Sequence, residues 1–486
     1  MGGTRPFCPR RVPRLGTPSR GARDTNVIGQ YRAFHGFEYE AVAPCSEMQM
    51  NLLAIDIGSS SIKAGILTGS GAPRHVVTES FATRYDGKHA EVDERSILRA
   101  LSAVIQKLGS DAKRVDAIVP TVMAPSWVAM DVKGRAITPI VTHQDRRAIA
   151  EARWIENRVG ADRHLKLVGN RPFPGGISST TWRWFATHEK ARMKRADLVG
   201  HLSTWFIRNA CGARVTDPSN AAFMGLYESL TLKGWSDELI AGLGVDARLL
   251  PEIREANQIA GHLTRQGAAR FGLTEGTPVL TGCMDGSAAM LAAGGRGTKL
   301  GVGQMLNVSG STDVLALLVD HPKPHPELLT RPLGVGKRWL AVSTIAAAGS
   351  ALEWAKNTMY AEMDAKAFYR HLSKVAGKPT PVRFAADLAG SRTSIEELSG
   401  EITGLRLGTT RDDILAALCE SLAAASGARL GLLKKQYRQI NTTVVVSGGV
   451  QSGLSKVLRR DWPSHGKWKF RTIDDATLRG LWQLIE

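Results

Sequence analysis

Two stretches far apart in the chain share one pattern, and that pattern limits what the chain can fold into. "LAIDIGSSSIKAGIL" (53–67) and "QMLNVSGSTDVLALLVD" (304–320) each run as an apolar strand, a turn of glycine and hydroxyl residues, and a second apolar strand. Gly310, Ser311 and Thr312 echo Gly58, Ser59 and Ser60. A strand–turn–strand unit that recurs past the middle of the chain predicts a duplicated domain design, with one such turn in each half. A length of 486 residues also exceeds a single ordinary core, so two domains are expected.

The segments between these units alternate. Residues 88–109 have helical spacing, with Ile97, Leu98, Leu101, Val104, Ile105 and Leu108 on one face. "VDAIVP" and "SWVAMD" read as strands, and "HQDRRAIAEARWIENRVG" (143–160) as a helix. The aromatic cluster Trp182, Trp184, Phe185, Trp205 and Phe206 reads as core. "TPVLTGCMDGSAAMLAAGG" (277–295) reads as strand, turn and helix, residues 410–436 as a long amphipathic helix, and 442–462 as a buried strand, a glycine turn and a helix. This alternation predicts an α/β protein.

The turns suggest anion chemistry. Glycine and serine leave backbone N–H groups free to point at an anion, hydroxyls add donors, and Lys63 brings a positive charge. Asp56 would repel a phosphate unless a Mg²⁺ sits between them, since that ion takes oxygen ligands and keeps its waters. The plainer reading is a hairpin with a polar tip, but such a tip does not require an aspartate inside "LAIDI". Asp285 is the only charge between Glu275 and Arg296. It could cap the helix that follows or act as a base. No GxxxxGK[ST] loop, no GxGxxG after a strand, no zinc-spaced Cys/His set and no Gly-x-Ser-x-Gly elbow occurs.

Taken together, these motifs resemble a known group. "AIDIGSSSIKAGIL" is similar to the first phosphate motif of the actin/hexokinase/heat-shock-chaperone ATPase superfamily. "GGISSTTWRWFATHE" (175–189) resembles the first signature of the FGGY carbohydrate kinases, the family of xylulokinase and glycerol kinase, with Thr181 where lysine is usual. "GEITGLRLGTTRDDILAALCE" (400–420) resembles the second, with Leu418 and Cys419 atypical. "THQDRRA" resembles the Trp-Gln/Asn-Asp-x-Arg segment, with His143 in place of Trp. "VTDPSNAAFMGLYE", "TGCMDGSAA" and "VVVSGGVQSG" match further family segments in order. The resemblance runs from about residue 50 to the end and implies two actin-like (ribonuclease H-like) domains with a cleft between them.

It also implies roles. Asp56 would hold Mg²⁺; Ser59, Ser60 and Lys63, on the turn opened by Gly58, would meet the ATP phosphates. Gly310, Ser311 and Thr312 would close on the phosphates from the second domain, and Gly448, Gly449 and Val450 would let adenine lie on the backbone. Asp285 would be the general base and a substrate contact, with Gln144 and Asp145 reading the sugar beside the hydroxyls of Ser178–Thr181. Where xylulokinases carry Gln-Met-His-Gly and glycerol kinases Arg-Glu, this chain has "MAPS" (123–126). "LAGSRT" resembles the Gly-Glu-Arg-Thr-Pro of xylulokinases, with Ser391 and Ser394 substituted. The implied activity is transfer of the ATP γ-phosphate to a terminal hydroxyl of a small sugar, a ketose such as xylulose first, then a sedoheptulose, ribulose or glycerol. The rival from another class is a non-catalytic nucleotide-binding pseudokinase, which "MAPS" mildly favours and the presence of Asp56, Lys63 and Asp285 opposes.

The expected domains are 50–294 for sugar and phosphate and 295–486 for nucleotide, preceded by a disordered extension, 1–49. The first 23 residues hold six arginines and no acid. They are Arg-rich like a transit peptide, and a start at Met48 or Met50 is the alternative. Without those arginines the net charge falls from +18 to +12, and no nucleic-acid signature accompanies it, so no specific nucleic acid is expected. No run of about 18 apolar residues predicts a membrane span. Five scattered cysteines without CxxC suit a reducing cytoplasm. A homodimer is left open.

Overall fold

The computed structural model describes residues 50–69, 71–294, 300–448 and 452–485. Two mixed sheets form its centre. The first contains β1 (Leu52–Ile57), β2 (Ser61–Leu67), β3 (Pro73–Ser80), β4 (Ala117–Val122), β5 (Ile259–His262), β6 (Pro278–Leu280) and β7 (Cys283–Met284), in the order β5-β6-β4-β1-β2-β3 with β7 also on β4. The second contains β8 (Met305–Ser309), β9 (Asp313–Val319), β10 (Leu329–Pro332), β11 (Trp339–Ile345), β12 (Thr443–Ser447) and β13 (Lys469–Thr472), in the order β10-β11-β9-β8-β12-β13.

The repeated sequence pattern becomes a repeated topology. β1, β2 and β3 form an antiparallel meander, and β4 lies parallel to β1 on its other side. β8, β9 and β11 form the same meander, and β12 lies parallel to β8. β1 is buried along almost its whole length because both faces are covered, which accounts for its continuous apolar run. Asp56 interrupts that run near the strand's end and sits opposite Lys63 across the β1–β2 pair. Aligning Gly310 with Gly58 puts Val308 at the place of Asp56, so only the first copy carries the acid.

Five helices frame the sheets: α1 (Glu94–Leu108), α2 (Asp285–Gly294), α3 (Gly349–Met359), α4 (Arg411–Gln436) and α5 (Ala476–Trp482). The expected face of α1 is buried through Ile97, Leu101, Val104, Ile105 and Leu108. α4 opens on a capping box between Thr410 and Asp413. It is long and apolar enough to cross a membrane by composition, but most of its apolar stretch is buried inside the fold, as in a core helix. α5 crosses back to the first sheet: Leu478 and Leu481 share a core with Leu52, Ala54 and Ala117. Helices α2 and α5 touch closely enough that a Cβ on Gly480 would lie 1.7 Å from the Ala288 carbonyl oxygen. The last helix therefore binds the second half of the chain to the first.

Two expected helices start later than periodicity suggested. His89–Val92 is a strand paired with Ile140 and Val141, and α1 begins only after Asp93. The helix expected from residue 143 starts at Ile149, because residues 145 and 146 are held in a turn by bonds to Thr142 and Lys88 carbonyls. In both cases tertiary hydrogen bonds overrode local spacing. Residues 295–299, where the two expected domains meet, lie outside the described residues, as does the 1–49 extension.

Candidate active site

A cavity of about 1130 Å³ lies between the two sheets. Both hydroxyl turns face it, with Ser59, Ser60 and Lys63 on one side and Ser311 and Thr312 on the other. The glycines shape the turns rather than line the cavity: Gly58 N donates to Ser61 O, and Gly310 N donates to Thr312 O, both at 2.9 Å. Gly310 and Ser311 carbonyls in turn accept from the first residues of α3 and its cap. Gly448 also lines the cavity, with φ of 98° and no room for a Cβ, which would lie 2.5 Å from Ser309 O. Gly449 and Val450 lie outside the described residues.

Asp56 is set by a residue that sequence reading missed. Thr477 Oγ1 donates to Asp56 Oδ2 at 2.6 Å, while Asp56 Oδ1 is buried with no hydrogen-bond partner among the described residues. Burial, with smaller contributions from the charges of Asp285 and Asp475, pushes the Asp56 carboxyl up to about 6 against the pull of Thr477 and Lys63. Lys63 Nζ pairs with Asp475 Oδ1 at 2.8 Å. Asp475 itself has a left-handed φ of 49° immediately before α5. The segment "IDDAT" (473–477) thus brings three polar side chains to the cavity from the far end of the chain. Its sequence signal was a pair of acids between a strand and a helix.

The chemistry fits a nucleotide-borne cation. An orphaned carboxylate oxygen in a phosphate-sized turn suits an ion, and a Mg²⁺ carried on phosphates needs only one or two protein carboxylates. Among the described residues, no group of three or more His, Cys, Asp or Glu forms a cage that could hold a metal alone.

Asp285 opens α2 and lines the same cavity. Its Oδ1 accepts from Gly286 N at 2.6 Å, so it caps its helix locally as well as facing the cleft. Burial raises its pKa, opposed by the Arg331 and Arg392 guanidiniums and the Gly286 N–H. Sequence reading assigned neither arginine to the cleft. Both line it.

The acceptor end departs from expectation. Gln144 lines the cavity and accepts from the Tyr85 hydroxyl at 2.6 Å. Asp145 does not line it. Its carboxylate is buried in a pair with Arg147 at 2.7 Å and accepts from Ala90 N, so the expectation that it reads substrate is corrected. Nor do Ser178–Thr181 face the cavity: all four are buried, Ser178 Oγ bonds His201 Nε2, and Thr180 Oγ1 donates to Ile177 O. Of "MAPS", Ala124 and Pro125 line the cavity, while Ser126 Oγ donates to Met123 O and accepts from Leu202 N. His143 stands in the wall, held neutral by burial and by the charge of Arg392.

Arg146 joins the two halves above this end. Its guanidinium donates to the carbonyls of Pro174 and, from the second half, Ser391 and Ser394, all at 3.2 Å. That contact seats the loop bearing Arg392 over the cavity.

Two sheet-centred halves turn their hydroxyl turns toward one cavity that Asp285 also lines, the two-domain actin-like arrangement of the kinase structures this chain superposes on. The chain belongs to the FGGY family of carbohydrate kinases, whose N-terminal domain model matches residues 51–292 and whose C-terminal domain model matches residues 305–458. Members of that family are ATP-dependent and act on sugars or related alcohols. The chain is 24% identical over 414 residues to a xylulose kinase of Staphylococcus xylosus, covering 82% of this chain and 83% of that one. It is 26% identical over 442 residues to a glycerol kinase of Geobacillus kaustophilus, covering 83% of each. The ligand-bound xylulose kinase structure from Lactobacillus acidophilus superposes with a TM-score of 0.76 at 17% identity, covering 90% of this chain and 89% of that one.

Proposed function

We propose that this protein transfers the γ-phosphate of Mg²⁺–ATP to a terminal hydroxyl of a small sugar or polyol, with Asp285 as the general base. The observation that carries the reading is the shared cavity: Asp285, Asp56 and both hydroxyl turns line or border one space. When bound, Mg²⁺–ATP supplies the transferable phosphoryl group and the charge neutralisation it needs.

Asp285 orients the acceptor hydroxyl and takes its proton as the new O–P bond forms and the bond to ADP breaks. Ser59, Ser60, Ser311 and Thr312 offer hydroxyl and backbone donors to the phosphates from both sides, and Lys63 adds charge. Asp56 would hold the ion through its unpartnered oxygen, and Gly448, with no side chain, would let the nucleotide lie against the backbone. Holding donor and acceptor together supplies much of the remaining acceleration. The xylulose kinase and glycerol kinase relatives make a five-carbon ketose the reference acceptor and glycerol the second.

The test is ADP release by purified protein against a panel of ketoses, aldoses, alditols and sugar acids, with and without Mg²⁺. Acceptor-dependent release that needs the ion supports the reading. Nucleotide binding with no acceptor-dependent release by any member of the panel would favour the pseudokinase.

A further inference from the structure

Among the described residues, two guanidiniums in the cleft have no anionic partner within ion-pair distance. Arg331, on β10, is only 7% exposed, its Nε is buried without a hydrogen-bond partner among the described residues, and its guanidinium carbon lies 5.2 Å from the centre of the Phe223 ring. Its Nη2 lies 3.0 Å from where a Cβ on Gly286 would be, directly beside Asp285. Arg392 reaches the same space from the loop that Arg146 seats. Among the described residues, neither guanidinium has a carboxylate within ion-pair distance or a side-chain hydrogen bond to protein.

Burial of a guanidinium is costly unless an anion or acceptors meet it. Each arginine is pulled down to about 10 by burial, and the charge of Asp285 is what opposes the shift. One carboxylate therefore faces two guanidiniums, and that carboxylate is the base. Ser391, directly before Arg392, offers no compensating charge.

The neutral polar groups on the rest of this wall are Thr83, bonded to the Ser59 carbonyl, Tyr85 and Gln144, bonded to each other, and His143. Ala124 and Pro125 are apolar, Ser126 is spent on backbone, and Asp145 is locked to Arg147. The cleft's strongest unspent donors are thus cationic, forked and close to the base, a set that matches a carboxylate.

Resting on the kinase reading above, we propose that the acceptor is an anionic polyol, a sugar acid whose carboxylate is bound by Arg331 and Arg392 while its terminal hydroxyl meets Asp285. The other anion these arginines could serve is the transferred phosphoryl group. Arg331 packs on Phe223 and Gly286, whereas Lys63 and Thr477 serve the Asp56 end, which places the arginines with the acceptor.

The experiment compares kcat/KM for five- and six-carbon aldonates with that for alditols and ketoses of the same length, in the wild type, Arg331→Gln and Arg392→Gln. Circular dichroism and ATP affinity check that each variant is folded. Hydrogen bonds to charged groups predict an aldonate preferred over its matched alditol by about 10- to 100-fold. Arg331→Gln should cut that preference by a similar factor, and calorimetry should show weaker aldonate binding. If a ketose or alditol is phosphorylated and aldonates are not, the proposal fails while the kinase reading stands. An equal loss on acids and neutral acceptors in Arg331→Gln would assign the guanidinium to the phosphoryl group and overturn it. Should no acceptor release ADP, both readings fall. If Arg331→Gln is unfolded, the acid-to-neutral ratios of wild type and Arg392→Gln decide the matter in the same way.

Discussion

The Thr477 hydroxyl donates to Asp56 Oδ2 at 2.6 Å, across 421 positions of sequence. One oxygen of the carboxylate is thereby fixed by the last helix, and the other is buried with no hydrogen-bond partner among the described residues. A residue placed for packing would not be left in that state, because an unpaired buried carboxylate oxygen is costly.

Asp56→Asn should therefore lower Mg²⁺–ATP-dependent turnover by on the order of 10²–10³-fold, the range for losing one electrostatic contact to transferring charge. The melting temperature should hold or rise, since the substitution removes a buried charge. Thr477→Val should act in the same direction and more weakly, raising the Mg²⁺ concentration for half-maximal rate. Equal losses of melting temperature and activity in Asp56→Asn would point to a structural role instead.

The raised pKa of Asp56 gives a pH signature. Its folded value, about 6, lies above the unfolded 3.8, so protonation favours the fold at low pH and that contribution is lost as pH rises through about 6. Ion binding runs the other way, since the ligand must be deprotonated. Affinity for Mg²⁺–ATP should be flat above about pH 7 and fall up to about tenfold per pH unit below 6. Calorimetry from pH 5 to 8 checks this, and Asp56→Asn should remove the dependence. The same slope in the variant would assign it to another group, the nucleotide included.

Much of this site was legible because its parts are local. Turns of Gly58–Ser60 and Gly310–Thr312 need only a few adjacent residues, and Asp285 stands out as a lone charge beside a strand and a helix. What was not legible depends on chain crossings. Thr477, in the first turn of α5, and Asp475, just before it, acquire meaning only when α5 returns to the first sheet. Arg331 sits inside "LLTRPLG" and reads as a strand residue until β10 is placed across the cleft. Asp145 misled because its neighbour two positions on, Arg147, captures it in a bidentate pair that spacing does not reveal.

The Arg146 contact predicts how closure is held. Its guanidinium spans the halves by donating to Ser391 and Ser394 carbonyls, so opening the cleft must break those bonds. If the hydroxyl turns of both halves hold the phosphates, as proposed, ATP is gripped only on closure. Small-angle scattering should show compaction when acceptor and a non-hydrolysable ATP analogue are both bound. Arg146→Ala should reduce that compaction and raise the acceptor KM by about tenfold, the scale of losing hydrogen bonds from a charged donor. An unchanged radius of gyration in the wild type, with both ligands proven bound, would count against a hinge.

Asp285→Asn separates the helix-start contact of Asp285 from its proposed role as a base. As a cap, its Oδ1 accepts from Gly286 N at 2.6 Å, and asparagine can accept there equally well. As a base, it must take a proton, which asparagine cannot do. Its immediate neighbours Cys283, Met284 and Gly286 bring no charge, and the arginines across the cleft stand beyond ion-pair distance, so the carboxylate is free to meet an acceptor hydroxyl. Burial raises its pKa, and the charges of Arg331 and Arg392 oppose that rise. A positioned base contributes about 10²–10⁴-fold, so kcat with the best acceptor should fall by that factor in Asp285→Asn. The dissociation constant for ATP, read by calorimetry, should stay within about twofold, because the proposed role of Asp285 is toward the acceptor hydroxyl. Turnover within a few-fold of wild type would reduce Asp285 to a helix cap.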